Sequence, residues 1–284
     1  MHIRLHIGAH KTATTHLQDF LEPHQEYLAG AGITYISRRK FRSSRIRRQV
    51  EAAYLDTTSN IFPKKNLKTL FAENGYDSNR ILISDEDIIG SSFNLIRAMY
   101  PNHRLRLFPW RALLDEGKIE FYLSIRNYRD LLPSAYSQAL RDGDIIPDFD
   151  IFRNHWLQAE PSWYKLLLSL RKLLPDSKIT VWSFERYIQH PEIILKEFTG
   201  LSFTNVMRNT PAETRRLSVE ALDAVRKLDP ALPKAERRRL IAQLAKTFAG
   251  SPFDPLSDNE KNILSERYRL DCEKIQSLGM KTIF

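Results

Sequence analysis

Apolar runs of strand length recur through the chain up to about residue 183, and each is followed by a stretch with helical spacing. Ile3, Leu5 and Ile7 alternate as strand residues do. Ile33-Thr34-Tyr35-Ile36, Arg80 to Ser84, Glu120 to Ile125 and Lys178 to Ser183 follow, with helical segments at 64–74, 129–142 and 163–174 among them. Strands separated by helices need crossover connections, so this order predicts a central, mainly parallel sheet covered on both faces. Beyond about residue 190 no further strand is predicted. Residues 191–199, 218–228, 233–248 and 257–279 read as helices, broken by Pro211, Pro230, Pro233, Pro252 and Pro255. No repeat or low-complexity linker divides the chain. The expectation is one three-layer domain over 1–284, an α/β core at 1–200 with a helical C-terminal portion at 201–284.

The first strand runs straight into Gly8-Ala9-His10-Lys11-Thr12-Ala13-Thr14-Thr15 and then into a helix carrying Leu17, Phe20 and Leu21. Gly8 lets the backbone turn sharply, and Lys11 supplies a mobile cation. Thr12, Thr14 and Thr15 bring hydroxyls and backbone N–H groups to the first helical turn. Unpaired N–H groups and the helix dipole make such an end an anion site. An ordinary strand-loop-helix with a capping Thr is the plain alternative. The order is not that of the Walker A loop, which needs Gly-Lys-Ser/Thr after four free positions. It resembles the 5′-phosphosulfate loop of sulfotransferases that use 3′-phosphoadenosine-5′-phosphosulfate (PAPS), usually Gly-x-x-Lys-Thr-Gly-Thr-Thr-x-Leu. Ala13 stands where that family usually has Gly, and a left-handed backbone there would strain it by about 1 kcal/mol.

A second pattern lies at the fourth apolar run, which ends at Arg126, with Ser134 eight residues later on the next helix. In an open parallel sheet, ligands bind beyond the C-terminal ends of the strands, so Arg126 should share an edge with the Gly8 loop. A guanidinium can grip a phosphate with two parallel N–H bonds, and a serine hydroxyl adds a third contact. The segment Leu123-Ser124-Ile125-Arg126-Asn127-Tyr128-Arg129-Asp130, with Ser134, resembles the sulfotransferase 3′-phosphate motif, although Tyr128 replaces a frequent Pro. Val181-Trp182-Ser183-Phe184-Glu185-Arg186-Tyr187 is similar to an aromatic-Glu element of the same family. Phe184 itself is expected in the core.

The resemblance covers residue 3 to about 200. It implies a P-loop-type fold, PAPS as sulfuryl donor, 3′-phosphoadenosine-5′-phosphate (PAP) as product, and no metal. It also implies roles: Gly8, Ala9, His10, Lys11, Thr12, Ala13, Thr14 and Thr15 around the 5′-phosphate, Arg126 and Ser134 on the 3′-phosphate, and Lys11 at the leaving group. The acceptor hydroxyl needs a base, and Ser84-Asp85-Glu86-Asp87 brings acids to the same sheet edge. The Ser-x-Glu pattern resembles a strand-end element of bacterial relatives, which makes Glu86 the first choice, with Asp85 and His10 as alternatives. Capping of the next helix explains these acids equally well. A carboxylate beside bound polyanions has its pKa raised, which suits a base near neutrality. His2, His6 and His10 are four apart but fall in a strand context, so no metal site is expected.

Composition bounds the rest. Net charge is +9, and Arg38, Arg39, Lys40, Arg42, Arg45, Arg47 and Arg48 crowd into one run. That run suits an anionic acceptor, nucleic acid or an acidic membrane, or it is simply solvated. Only Phe41 interrupts it, so no base-stacking surface is indicated and nucleic acid is not an expected partner. Cys272 is the sole cysteine, which excludes an internal disulfide. No apolar stretch approaches a membrane span, and Met1-His2-Ile3-Arg4 enters a strand at once without a signal peptide, so the expectation is a cytoplasmic protein. The expected partner is a small-molecule or glycan acceptor, anionic if the arginine run serves it; its identity and the oligomeric state are left open. Two rival readings stand: a P-loop kinase or NTPase using Lys11 with Asp85 as magnesium holder, and a non-enzymatic anion-binding protein using residues 38–48.

Overall fold

The computed structural model describes residues 1–49, 67–112, 118–158, 161–204, 206 and 216–284. Six strands form one sheet in the order β2-β3-β1-β4-β5-β6. They are β1 (His2–His6), β2 (Thr34–Ile36), β3 (Arg80–Ser84), β4 (Lys118–Ile125), β5 (Ile179–Ser183) and β6 (Lys281–Ile283). Every pairing is parallel. Helices cover both faces, as crossover connections require.

β1 sits in the middle, with Leu5 opposite Ile83 on one side and Phe121 on the other. Its odd residues Ile3 and Leu5, continued by Ile7, pack with Ile81, Ile83, Phe121, Leu123 and Val181 in the larger core. The even residues of β1, β3, β4 and β5 face a second core, where Leu82, Tyr122 and Trp182 meet Leu17 and Leu21 of α1 (Thr14–Leu21) and Leu28 of α2 (Gln25–Gly30). His6 faces this second core. Its ring stacks on Trp182 at 5.0 Å between centroids, and its Nδ1 meets Ser84 Oγ at 2.8 Å. Burial lowers the His6 pKa to about 3, so the ring stays neutral. The alternation in β1 is therefore that of a strand covered on both sides, with a neutral imidazole filling one of them.

The expected helices appear as α4 (Leu67–Ala72), α7 (Tyr128–Arg141), α9 (Trp163–Leu173) and α11 (Pro191–Thr199), and the structure adds α3 (Arg38–Ser43), continued by helical residues 45–49, α5 (Ser92–Ala98), α6 (His103–Ala112), α8 (Phe149–Gln158) and α10 (Phe184–Gln189). Residues 64–66 of the helix expected over 64–74, and Pro211, lie outside the described residues. The C-terminal helices are α12 (Val219–Arg226), α13 (Lys234–Thr247) and α14 (Asp258–Gln276). Ser218 and Ser257 cap the first and last of these with their hydroxyls.

One expectation is corrected here: the strands do not stop near residue 190. After α14 the chain turns at Gly279, φ +66°, and Lys281, Thr282 and Ile283 pair beside Thr180, Val181 and Trp182 of β5. Three residues are too few for an alternation to register. The C-terminal helices also share the sheet's larger core through Leu222, Ile241, Leu264 and Ile275. α14 is tied in by Asp271, a buried carboxylate that accepts from the hydroxyls of Tyr128 and Ser162 and from the Tyr164 N–H.

Candidate functional site

β1 lies between β3 and β4, so the loop that leaves it opens at the C-terminal edge of the sheet between two strand ends, where α/β proteins collect ligands. The loop is strapped to both neighbours. Ala9 N–H donates to Ser124 O at 3.1 Å, Ser124 N–H donates to Gly8 O at 2.7 Å, and Asp85 N–H donates to His6 O at 3.0 Å. Gly8 has φ +112°, and a Cβ there would stand 3.3 Å from the Glu86 backbone. Only glycine fits that turn and that contact.

Beyond Gly8 the backbone is strained as the sequence comparison anticipated. Ala13 is left-handed at φ 64°, ψ 25°, and Lys11 is left-handed too at φ 63°. No side chain caps α1, and its first backbone bond is Leu17 N–H to Ala13 O. The first turn of α1 therefore carries no side-chain cap at its N-terminal end. The threonines depart from expectation. Thr12 and Thr14 are buried, and both hydroxyls donate to Ala9 O, at 2.6 and 3.1 Å. They hold the loop in shape with their protons; toward an anion they offer backbone N–H groups.

Lys11 is not the mobile cation expected. It is half-buried, its Nζ lies 3.4 Å from Gln138 Oε1, and desolvation together with Arg126 and Arg141 lowers its pKa to about 8. Asp142 pulls the other way. Arg126, at the end of β4, reaches across the edge and donates from Nη1 to the Lys11 carbonyl at 2.8 Å. Its Cζ stands 4.2 Å over the Phe184 ring, and its Nε is buried without a hydrogen-bond partner among the described residues. A buried guanidinium N–H without an acceptor is costly unless a ligand supplies one. Phe184 is accordingly corrected: it is half-buried at the site as a platform for Arg126, outside the core. Glu185 beside it accepts from Asn127 N–H and from the Tyr268 hydroxyl, locking the ends of β4 and β5 together. Ser134 is buried on α7, one turn before Gln138 and on the same helix face. Arg216 stands near enough to disfavour the charges of Lys11 and Arg126, and is itself paired with Asp130 at 2.9 Å.

The acids after β3 separate into three situations. Asp85 is fully buried; Arg42 and Arg47 take its oxygens at 2.6 and 2.7 Å, and it caps the 3₁₀ turn Glu86–Ile88 through Asp87 N–H. An acid held that way has no oxygen to offer a hydroxyl or a magnesium ion. Glu86 is half-buried against the loop. Its Oε2 accepts from Gln18 Nε2 at 3.1 Å, while Arg38 and Arg42 stand at 3.5 Å from Oε1. Asp87 bonds His10 Nε2 at 3.1 Å and Arg42 at 2.9 Å; burial opposes its charge, but these partners and Arg47 hold its pKa down to about 2.

His10 is buried in a chain that sequence reasoning missed. The Tyr100 oxygen lies 2.9 Å from both the His10 backbone N and its Nδ1. The backbone N–H donates to that oxygen, and the two ring nitrogens are divided between Tyr100 at Nδ1 and Asp87 at Nε2. Tyr100 and Met99 are both left-handed, at φ 61° and 50°, and Gly90 clears room for the tyrosine ring, since a Cβ there would sit 2.6 Å from it. Two adjacent strained residues delivering one hydroxyl to the loop leave no periodic signal in the sequence. The histidines His2, His6 and His10 go to three separate partners: Glu120, Ser84 and Tyr100.

No family model matches the chain, nor does any curated protein. Among the solved chains that match is the crystal structure of a sulfotransferase from Alicyclobacillus acidocaldarius, 17% identical, with 84% of this chain and 95% of that one covered and a TM-score of 0.42.

Proposed function

We propose that this protein is a PAPS-dependent sulfotransferase, moving a sulfuryl group to an acceptor hydroxyl by in-line displacement. The observation that carries this reading is the meeting of Arg126 with the Lys11 loop, the guanidinium bonded to the Lys11 carbonyl and its Nε left without an acceptor. A nucleotide phosphorylated at both ends needs two anion grips on one rim. The uncapped first turn of α1 and Lys11 suit the 5′ end, and Arg126 with Ser134 suits the 3′ end. During transfer the acceptor oxygen bonds to sulfur while the bond from sulfur to the 5′-phosphate oxygen breaks, and charge builds on that leaving oxygen. An ammonium held at the loop stabilises it there. Glu86 takes the acceptor proton. His10 serves through the shape of the loop, since both of its ring nitrogens are engaged.

The kinase reading is weaker because Asp85, its metal holder, is saturated by arginines. The reading of residues 38–48 as a free cationic surface is weaker too, because Arg38, Arg42 and Arg47 are paired with Asp85, Glu86 and Asp87. Among the described residues no helix is long and apolar enough to cross a membrane. A cytoplasmic enzyme acting as one domain on a glycan or other small acceptor completes the proposal.

Titration with PAP, against AMP and ATP, tests it. PAP should bind at least tenfold more tightly than AMP, and transfer should persist in excess chelator. Equal affinity for AMP and PAP, or a requirement for Mg²⁺, would return the protein to the kinase class. Glu86→Gln should cost roughly 10²- to 10⁴-fold in transfer with PAP affinity retained; an unchanged rate would move the base elsewhere.

A further inference from the structure

Two linked residues that the nucleotide-binding motifs do not include stand behind Lys11, Gln138 in contact with it and Asp142 bonded to Gln138. Gln138, on α7, brings Oε1 to 3.4 Å from the Lys11 ammonium. The other end of the same amide donates from Nε2 to Asp142 Oδ1 at 2.9 Å, and the second Asp142 oxygen accepts from Ser92 Oγ at 2.7 Å. The amide is thereby oriented: with its N–H toward the carboxylate, its oxygen must face the ammonium.

Asp142 occupies a place that local physics disfavours. It is the C-cap of α7, where the helix dipole is negative and a carboxylate is destabilising. A nearby cation is what makes an acid there worthwhile. Among the charged groups that act on Lys11 are Arg126 from the end of β4, Arg141 at the end of α7, Asp142 at its C-cap, and Arg216 from the segment before α12. Three of the four are cations, and Asp142 is the only anion among those four. We propose that Gln138 and Asp142 are positioning residues for Lys11, the amide fixing where the ammonium points and the carboxylate keeping it protonated among the arginines. The lowered Lys11 pKa, about 8 with Asp142 opposing the fall, fits that division of labour. This inference rests on Lys11 being the cation of the proposed transfer site, but its test does not need turnover.

The test is the titration of Lys11 in the free protein, followed by NMR of ¹³Cε-labelled lysines and assigned with Lys11→Arg. Asp142→Asn should lower the Lys11 pKa by about one unit, and Gln138→Glu should raise it by a similar amount. Asp142→Glu should restore the wild-type value. A second arm measures PAP affinity against pH. In Asp142→Asn it should match wild type near pH 6, where Lys11 is charged in both, and fall away about one pH unit earlier on the alkaline side. An unmoved Lys11 titration in Asp142→Asn and Gln138→Glu overturns the inference. So does an affinity loss equal at every pH, which marks a merely structural role. If Asp142→Asn does not fold, Gln138→Glu alone decides. If the titration shifts as expected but wild type binds no PAP, the positioning pair stands and the sulfotransferase reading fails.

Discussion

Two cationic regions flank the acidic turn at residues 85–87 and the loop at residues 8–15, and they have opposite fates. Around α3 the cations are dense in sequence, and three of them are paired with acids: Arg42 and Arg47 converge on the buried Asp85, and Arg38 stands against Glu86. Around the loop the cations come from far apart in the chain, and Arg126 meets a carbonyl and an aromatic ring instead of a carboxylate. Density of charge along a chain is therefore a poor guide to where an anion binds. What matters is whether folding supplies counter-charges, and at α3 it does. The dense run is a brace for the turn that presents Glu86. The sparse set is the one with capacity left for a ligand.

Substitutions on the two sides should separate this contrast, beginning with the loop. Lys11→Ala should lower turnover roughly 10²- to 10³-fold, the scale of losing one transition-state donor. Near-normal transfer by that variant would place the working cation elsewhere. Next comes a matched pair. Arg126→Ala should weaken PAP about 10- to 100-fold with the unfolding midpoint nearly unmoved, as expected for a charged hydrogen-bond donor lost to a ligand. Arg42→Ala should do the reverse, costing about 3 kcal/mol of stability by exposing Asp85's charge to an apolar setting, with PAP affinity held. Denaturant melts and calorimetric titrations on both proteins would break the comparison if the two profiles came out alike.

A smaller effect concerns the sheet beneath the loop. Unfolded His6 takes up a proton near pH 6.5, whereas the folded ring does so only near 3. Between those values the unfolded state binds more protons, so stability falls as pH drops from 6.5, by about 1.4 kcal/mol per unit at most. Above pH 6.5 this contribution is constant. A His6→Gln variant should flatten that acid limb; an identical slope would assign it to other groups. The smallest change expected is at Ala13, where Gly relieves a left-handed alanine and should raise stability by about 1 kcal/mol without altering turnover. Thermal melts at neutral pH would detect it.

Much of this was legible in the residues. The alternation of Ile3, Leu5 and Ile7, the apolar runs after it and the helical stretches between them determined a parallel sheet covered on both faces, because crossover connections leave few other arrangements. Gly8, Lys11, Ala13 and Arg126 were visible as a loop and a strand end. Their shared edge followed from the rule that parallel strands point their C-termini the same way. The tertiary structure alone decided which charges cancel. It brought Asp85 under Arg42 and Arg47, turned the hydroxyls of Thr12 and Thr14 inward, carried Tyr100 onto His10, set Gln138 and Asp142 beside Lys11, and returned the chain's end as β6. Apart from the local threonine bonds to Ala9, each of these is a contact between residues distant in the chain or a strand too short to show a period. Local patterns encode which face of an element is buried. They do not encode which partner a buried polar group will find, and that choice is made only when the elements pack.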